Sequence, residues 1–346
     1  MSFINEANYE PAPFSSLNER FIVPPFSILD TRQGYWQDRK RAWHALGINS
    51  QETREDVEII SKSGQGTAVY ELRNKMRSQL GSEPTWEQVL EREKKEGLYV
   101  YEGASIFDPV LTEIAYTWFC PPNATILDPF AGGSVRGIVA AYLGYHYKGI
   151  DLRLEQVEAN IRNSANVLKD NTGTVEWFAS DSLAMDNVLL KDEMFDFIFS
   201  CPPYFNLEQY SDDKLDLSNM KYNEFLNIYS GIIFNSLMRL KKDRFACFVV
   251  GDIRDENGLY RNFVSDTIEA FIKQPLCDGI KVSLYNEIIL INVAGSLPIR
   301  VNKQFGTYRK VGKTHQNVLV FYKGDPKTIK ENFPQIEVAE LEKQPE

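Results

Sequence analysis

Two short segments of the chain carry residue types that could do chemistry on a small polar group. In Ser200-Cys201-Pro202-Pro203-Tyr204, two prolines follow an apolar run and end its hydrogen-bonding ladder. Because a proline also restricts the residue before it, the carbonyls of Cys201 and Pro202 can be held outward as acceptors for N–H groups. In Asp128-Pro129-Phe130-Ala131-Gly132-Gly133, an acid and a double-glycine turn precede a helical pattern. The first segment predicts capture of an amino group, and the second predicts a ligand-binding turn.

An amino group on an aromatic base is a poor nucleophile because its lone pair is delocalised into the ring. Acceptors at position 201 and at the Pro202 carbonyl would favour a more tetrahedral nitrogen, and Tyr204 would stack on a base flipped out of a duplex. The catalytic residues are therefore predicted to be Cys201, Pro202, Pro203 and Tyr204. Taken without other motifs, Cys201 also fits an ordinary buried thiol beside a structural turn.

The glycine turn and three acids predict an adenosine-containing cofactor. Gly132 and Gly133 let the backbone approach a ligand, and the following helix start presents free N–H groups. Asp151, about 20 residues on at a strand end, suits two ribose hydroxyls, a spacing that also serves NAD. Asp128 could take the ammonium of S-adenosylmethionine, which NAD lacks, and Asp181 could accept from the adenine amino group or act as a helix N-cap. S-adenosylmethionine is favoured and NAD stays open.

The elements that must position these residues begin at about residue 106, where short apolar runs alternate with amphipathic patterns. Such alternation predicts an α/β fold with a parallel sheet and helices on both faces. The last two runs are separated only by 293–316, which shows no helical pattern, so they should pair antiparallel at one edge. We predict a seven-stranded sheet with strands at 124–130, 146–152, 174–180, 195–201, 244–253, 281–292 and 317–324, and helices at 134–143, 154–168, 222–240 and 261–272.

The composition is that of an ordinary globular protein. Of 346 residues, 43% are hydrophobic and 25% charged, enough for a sizeable core. The four cysteines and three histidines are scattered, so neither a disulfide framework nor a metal site is predicted. The first residues lack a secretion signal, and no apolar run reaches the ~18 residues of a membrane span. We expect a cytoplasmic protein with no membrane partner.

Charge is distributed unevenly along the chain. The net charge of -10 does not suit a nucleic-acid partner, but residues 299–316 contain no acid. A locally basic strip on an acidic body is what steering toward DNA requires, with a solvated loop as the alternative. A second mixed segment, 21–43, combines aromatic and basic residues and predicts packing on the main domain, with DNA contact as the alternative. The predicted DNA-binding residues are Arg300, Lys303, Arg309, Lys310 and Lys313.

The succession DPFAGG, GIDL, ASDS and CPPY resembles the amino-methyltransferase family of DNA modification enzymes, over roughly residues 105–325. The resemblance implies a Rossmann-like class I methyltransferase fold and methyl transfer from S-adenosylmethionine to adenine N6 or cytosine N4 of DNA. The segment SIFDP before the first strand resembles the family element that walls the methionine pocket, and the segment GYWQDRKRAW resembles phage-borne members. The implied cofactor residues are Phe107, Asp108, Asp128, Phe130, Ala131, Gly132, Gly133, Asp151, Leu152, Ser180 and Asp181.

The chain departs from the family pattern at two places. Cys201 stands where the family commonly has Asp, Asn or Ser, and a thiol is a weaker acceptor than any of these. The cysteine side chain is closest in size to serine, which slightly favours cytosine over adenine as the target base. The turn reads Gly132-Gly133-Ser134 where Gly-Ser-Gly is usual.

The expected organisation is an N-terminal extension (1–100), a methyltransferase domain (101–330) with a DNA-contact insert (293–316), and an acidic tail (331–346). Three alternatives stay open. They are methylation of RNA or of a protein glutamine, a catalytically silent cofactor-fold protein that binds DNA, and an NAD-dependent dehydrogenase.

Overall fold

The coordinates come from a computed structural model of the chain. Most of the predicted extension (1–100) and the last part of the predicted tail lie outside the residues it describes. The described residues are 17, 19–48, 75–79, 81, 84, 88, 92, 106–169, 173–205, 210–211, 213–276, 279–294 and 297–337.

One mixed sheet of eight strands organises these residues, in the order β4-β3-β2-β5-β6-β8-β7-β1. Strand β8 is antiparallel to β6 and β7, whereas every other pairing is parallel. The doubly wound sheet, its seven predicted strands and the antiparallel terminal hairpin are thereby confirmed. The strands are β1 (Ile28–Asp30), β2 (Thr125–Asp128), β3 (His146–Asp151), β4 (Thr174–Ala179), β5 (Phe195–Ser200), β6 (Leu240–Val250), β7 (Val282–Ile291) and β8 (His315–Lys323).

The eighth strand corrects the predicted count of seven. Residues Ile28–Asp30 pair parallel with β7, Ile28 opposite Ile289, and so extend the edge of the sheet. A strand of only three residues, which follows a Pro-Pro pair, shows too little alternation of apolar and polar residues to be recognised from the sequence. Part of the predicted N-terminal extension therefore belongs to the sheet.

Helices cover both faces of the sheet, as predicted. The cores on the two faces are separate: α1 to α4 contribute to one, and α5 and α6 to the other. Among the described residues, no helix is long and apolar enough to cross a membrane. The helices are α1 (Gly34–Ala45), α2 (Pro109–Phe119), α3 (Val135–Tyr142), α4 (Leu154–Val167), α5 (Tyr222–Arg239), α6 (Phe263–Ile272), α7 (Leu297–Tyr308) and α8 (Ile329–Asn332).

Helix α1 packs on the domain through its aromatic residues. Trp36 and Trp43 are fully buried, and the buried Arg39 contacts Glu113 of α2 with Nε at 2.9 Å and Nη2 at 2.5 Å. The Trp43 indole donates to the same carboxylate at 2.8 Å. For these residues the packing interpretation of segment 21–43 is confirmed over DNA contact.

Helix α7 is a second correction. The prediction placed no helix between the last two strands, yet Leu297–Tyr308 is helical. Pro298 lies in its first turn, where proline is tolerated, and Leu297, Val301, Phe305 and Tyr308 recur at helical spacing, a pattern that Pro298 and Gly306 obscure. The basic strip is therefore mounted on a helix and the turn that follows it.

Candidate active site

A cavity of about 580 Å³ opens at the carboxyl ends of the parallel strands. Strands β2 and β5 lie side by side there, and the chain continues outward from them in opposite directions, which makes this the switch point where open α/β sheets bind ligands. Because β8 is antiparallel, its first residues reach the same edge. The cavity therefore has a glycine-turn half, formed at the ends of β2, β3 and β4, and a Pro-Pro half, formed at the ends of β5, β7 and the start of β8.

The glycine-turn half is held in shape by Asp151. Gly132 has a φ of 52°, in the left-handed region that favours glycine, and its amide donates to Asp151 Oδ2 at 2.9 Å. The other carboxylate oxygen accepts from the Arg153 amide at 3.0 Å. Most of the predicted cofactor residues line the cavity, namely Phe107, Asp108, Phe130, Gly132, Gly133, Asp151, Leu152, Ser180 and Asp181.

Asp181 takes the N-cap role that its sequence context allowed and also lies on the cavity wall. It is the N-cap of the 3-10 helix Ser182–Asn187, where its Oδ1 accepts from the Leu183 amide at 2.8 Å. It also lines the cavity at the end of β4. The cap fixes one carboxylate oxygen of Asp181 at the end of β4.

Asp128 does not take the predicted position. Its side chain is fully buried and is not among the described residues that line the cavity; Ala131 lies behind the wall as well. Arg136 Nε donates to Asp128 Oδ2 at 2.5 Å and the Tyr147 hydroxyl donates to the same oxygen at 2.7 Å. With its oxygens already engaged inside the protein, Asp128 is a supporting residue and has no free oxygen to offer a ligand ammonium.

Arg136 lines the cavity wall, whereas Asp128 does not, and the sequence analysis did not predict Arg136 as a site residue. Its Nη2 donates to the carbonyls of Phe130 at 2.6 Å and Ala131 at 2.9 Å, while its guanidinium carbon lies 4.6 Å from the Phe107 ring centroid. Burial opposes the charge, but the adjacent Asp128 raises the pKa of Arg136 above its ordinary value. The available signal was a single arginine inside the apolar run VRGIVAAY of α3. The cavity wall beside the glycine turn therefore carries a guanidinium that is paired with the buried Asp128.

The Pro-Pro half contains all four predicted catalytic residues, Cys201, Pro202, Pro203 and Tyr204, on the cavity wall. The Cys201 thiol lies 3.7 Å from the Tyr204 hydroxyl, close enough for either to donate. Burial, followed by the neighbouring thiol, raises the pKa of Tyr204 well above its ordinary value. The phenol therefore remains a neutral donor through the physiological range.

A chain of hydrogen bonds fixes the Tyr204 ring. The Asn292 amide donates to Gln316 Oε1 at 3.3 Å, and Gln316 Nε2 donates to the Tyr204 hydroxyl at 2.7 Å. The Tyr204 hydroxyl in turn donates to the Val249 carbonyl at 3.3 Å. Asn292 and Gln316 also line the cavity, and the sequence offered only their polarity at strand ends as a signal. We call this set the Tyr204 chain.

Hydrogen bonds of Ser200 join the two halves of the cavity. The Ser200 hydroxyl, immediately before Cys201, donates to Asp128 Oδ1 at 2.5 Å and accepts from the Phe130 amide at 3.2 Å. The Pro-Pro segment and the glycine turn are thus neighbours, as predicted, and Tyr204 and Gly132 line one cavity.

Comparison with known proteins adds only distant structural matches. No protein-family model and no curated protein matches the sequence. TrmN from Thermus thermophilus is 15% identical, with a TM-score of 0.41, and the match covers 63% of this chain but 49% of TrmN. A methyltransferase from Pyrococcus furiosus is 16% identical over 74% of this chain and 96% of that one, with a TM-score of 0.41. Magnesium protoporphyrin IX methyltransferase from Synechocystis PCC 6803, with bound SAM, is 11% identical over 62% and 79%, with a TM-score of 0.37.

No family assignment follows from these matches. Identities below 25% at TM-scores below 0.5 give this chain neither an activity nor a substrate, and it spans about half the length of TrmN. The function must be argued from the site itself.

The predicted DNA-binding residues lie on and after α7. Arg309 caps the helix, since its Nη1 donates to the carbonyls of Phe305 at 3.2 Å and Gly306 at 3.0 Å. Lys313 approaches the Pro-Pro half: a Cβ placed on Gly251 would lie 3.7 Å from the Tyr204 ring and 3.8 Å from Lys313 Cε. Lys303 is exposed and Lys310 partly exposed, while the Arg300 side chain is outside the described atoms.

Proposed function

We propose that this chain is an S-adenosylmethionine-dependent, site-specific DNA methyltransferase that modifies an exocyclic amino group, adenine N6 or cytosine N4. The observation that supports it most strongly is the Ser200–Asp128 hydrogen bond of 2.5 Å, which ties the amino-capturing segment to the ligand-binding turn. Methyl transfer requires the target amino group and the methyl donor in contact and in line. The reaction therefore needs the two segments that would bind them to be adjacent.

The glycine-turn half fits S-adenosylmethionine in charge and shape. Asp151 suits the ribose hydroxyls and Asp181 the adenine amino group, while Phe107 and Phe130 supply apolar wall. In this proposal Arg136 holds the methionine carboxylate, a task that the sequence had not assigned. When bound, the cofactor supplies an activated methyl group on a sulfonium.

The Pro-Pro half binds and orients the target amino group. The Pro202 carbonyl and the group at position 201 accept from the two N–H bonds of the target amino group, which frees the nitrogen lone pair. Tyr204 stacks on the extruded base, and the Tyr204 chain keeps that ring in one orientation. The protein thereby contributes alignment and electrostatics, with no covalent adduct to the base.

Cys201 favours a second candidate, a catalytically silent cofactor-fold protein that binds DNA. A thiol accepts hydrogen bonds weakly, and this one lies 3.7 Å from the Tyr204 hydroxyl oxygen, to which it can donate its own hydrogen. In the active protein the Pro202 carbonyl carries most of the capture. The two candidates differ in one measurable respect, which is transfer of the methyl group.

We expect the purified chain to transfer a labelled methyl group from S-adenosylmethionine to DNA. Duplex DNA, RNA and unfolded protein should be supplied in parallel, and the modified base identified by mass spectrometry after digestion. N6-methyladenine or N4-methylcytosine is the expected product. Label only in RNA or protein would contradict the proposal, and cofactor binding without transfer to any DNA would select the silent candidate. Long-read sequencing of host DNA with and without the gene would then give the sequence context.

Asp151→Asn is expected to weaken binding of S-adenosylhomocysteine by roughly 10- to 150-fold, because a hydrogen bond to a charged group contributes about 1.5–3 kcal/mol. Asparagine retains one oxygen for the Gly132 amide, but its NH2 replaces the oxygen that accepts from the Arg153 amide, so circular dichroism should check that the fold is kept. Methylthioadenosine, which lacks the amino-acid part, should lose affinity by the same factor, because Asp151 is assigned to the ribose. Both affinities are measured by calorimetry.

The matched control for this substitution is Glu158→Gln on α4, a change of the same chemistry at an exposed side chain. It should leave both affinities unchanged. Binding of NAD by the unmodified chain, without S-adenosylhomocysteine binding, would replace the methyltransferase proposal by a dehydrogenase.

A further inference from the structure

The C-terminal part of helix α7 is exposed to solvent. Every residue from 302 to 309 is exposed, including Phe305 at 47% and Tyr308 at 70% of their surface. Among the described residues, the Leu297 side chain lies against Gly312 at one end of the helix, and Lys310, just beyond the other end, lies against Gly258. A helix of 12 residues is marginal in water without packing, so a partner that packs on the exposed residues 302–309 would stabilise it.

The charge of this element identifies the kind of partner. Residues 297–313 include five basic side chains and no acid, within a chain whose net charge is -10. The two exposed aromatics alternate with these cations: Arg309 lies 5.7 Å from the Phe305 ring centroid and Lys310 lies 5.6 Å from that of Tyr308. A basic surface with interleaved aromatic rings is complementary to a polyanion that also offers apolar edges.

The position of the helix connects it with the site. The residues that follow α7 run back along the cavity edge, Lys313 beside the Tyr204 ring and Gln316 in the Tyr204 chain. A polymer held on α7 therefore has one of its nucleotides within reach of the Pro-Pro half.

We infer that α7 docks in the major groove of duplex DNA, an inference that rests on the proposed function for the identity of the polymer. A helix with its side chains is about 10–12 Å across, and α7 extends over about 18 Å. The major groove of B-form DNA is about 12 Å wide, so it admits a helix. The major groove of an RNA duplex is deep and narrow and excludes one. Lys303 and Lys310 contact phosphates.

The test is the salt dependence of binding to a labelled 30-base-pair duplex of mixed sequence, measured by fluorescence anisotropy without any methyl donor. Each phosphate contact contributes about 0.9 to the slope of log affinity against log salt concentration. The double variant Lys303→Gln/Lys310→Gln should lower the slope by about 1.8 and raise Kd by roughly 60-fold at about 0.1 M salt. Arg309 is left unchanged because it caps the helix.

The control is Lys327→Gln/Lys330→Gln, which makes the same change in net charge at two exposed residues beyond the end of β8, at the opposite edge of the sheet. Its slope should equal that of the unmodified chain. An unchanged slope in the α7 variant, or equal loss in both variants, would overturn the inference, as would binding of duplex RNA as tight as that of duplex DNA.

Failure of this inference is distinguishable from failure of the proposed function. The control variant Lys327→Gln/Lys330→Gln should methylate DNA at the rate of the unmodified chain, since neither lysine is assigned to the cavity or to α7. If the unmodified chain methylates no nucleic acid, the proposed function fails, while the binding measurement still decides whether α7 docks on a duplex.

Discussion

Tyr204→Ala is expected to lower kcat/KM for methyl transfer to DNA by roughly 5- to 150-fold. Stacking of a base on an aromatic ring contributes about 1–3 kcal/mol, and each 1.36 kcal/mol is about tenfold in rate. The ring lines the cavity and is held by Gln316 and the Val249 carbonyl, so alanine removes both the stacking surface and a fixed orientation. Initial rates at saturating S-adenosylmethionine, over a range of DNA concentrations, measure the loss.

Tyr204→Phe is the matched control because it keeps the ring and removes only the hydroxyl of the Tyr204 chain. One hydrogen bond contributes about 0.5–1.5 kcal/mol, so a loss of roughly 2- to 13-fold is expected. Binding of S-adenosylhomocysteine should be the same in both variants, since Tyr204 belongs to the other half of the cavity. Equal rates for the alanine and phenylalanine variants would mean that the ring does not stack on the base.

The parts of the fold and site that could be predicted are those with a strong local pattern. Most of the strands β2 to β8 are short segments rich in apolar residues and bounded by polar or glycine-rich turns, and the antiparallel pairing of β7 and β8 is confirmed although α7, which was not predicted, lies between them. The adjacency of the two motifs followed from topology, because both stand at carboxyl ends of parallel strands.

The parts that could not be predicted depend on contacts between distant residues. Asp128 looks like a ligand because it precedes the turn, but only the packing of α3 and β3 shows that Arg136 and Tyr147 already hold it. Asn292 and Gln316 meet Tyr204 only after the sheet has formed. Helix α7 has apolar residues at helical spacing, Leu297, Val301, Phe305 and Tyr308, but Pro298 and Gly306 are residue types that break helices, so the pattern was not recognised.

Asp128→Ala is expected to lower the free energy of unfolding by about 3–5 kcal/mol, the usual effect of removing one partner of a buried ion pair. Asp128 is fully buried and Arg136 is 4% exposed, so the substitution leaves a guanidinium inside the protein without its counter-charge. It also removes the acceptor of the Tyr147 and Ser200 hydroxyls. Urea denaturation followed by fluorescence gives the change in stability.

Asp186→Ala is the control, since it breaks the Arg239–Asp186 ion pair at an acid whose side chain is 84% exposed. Exposed pairs contribute little, so stability should change by less than about 1 kcal/mol. The double variant Asp128→Asn/Arg136→Met, which removes both buried charges, should be more stable than Asp128→Ala because no unpaired ion remains. If Asp128→Ala unfolds at the same urea concentration as the unmodified chain, Asp128 is not the buried counter-ion of Arg136. The contact between the two halves of the cavity would then depend on residues other than Asp128.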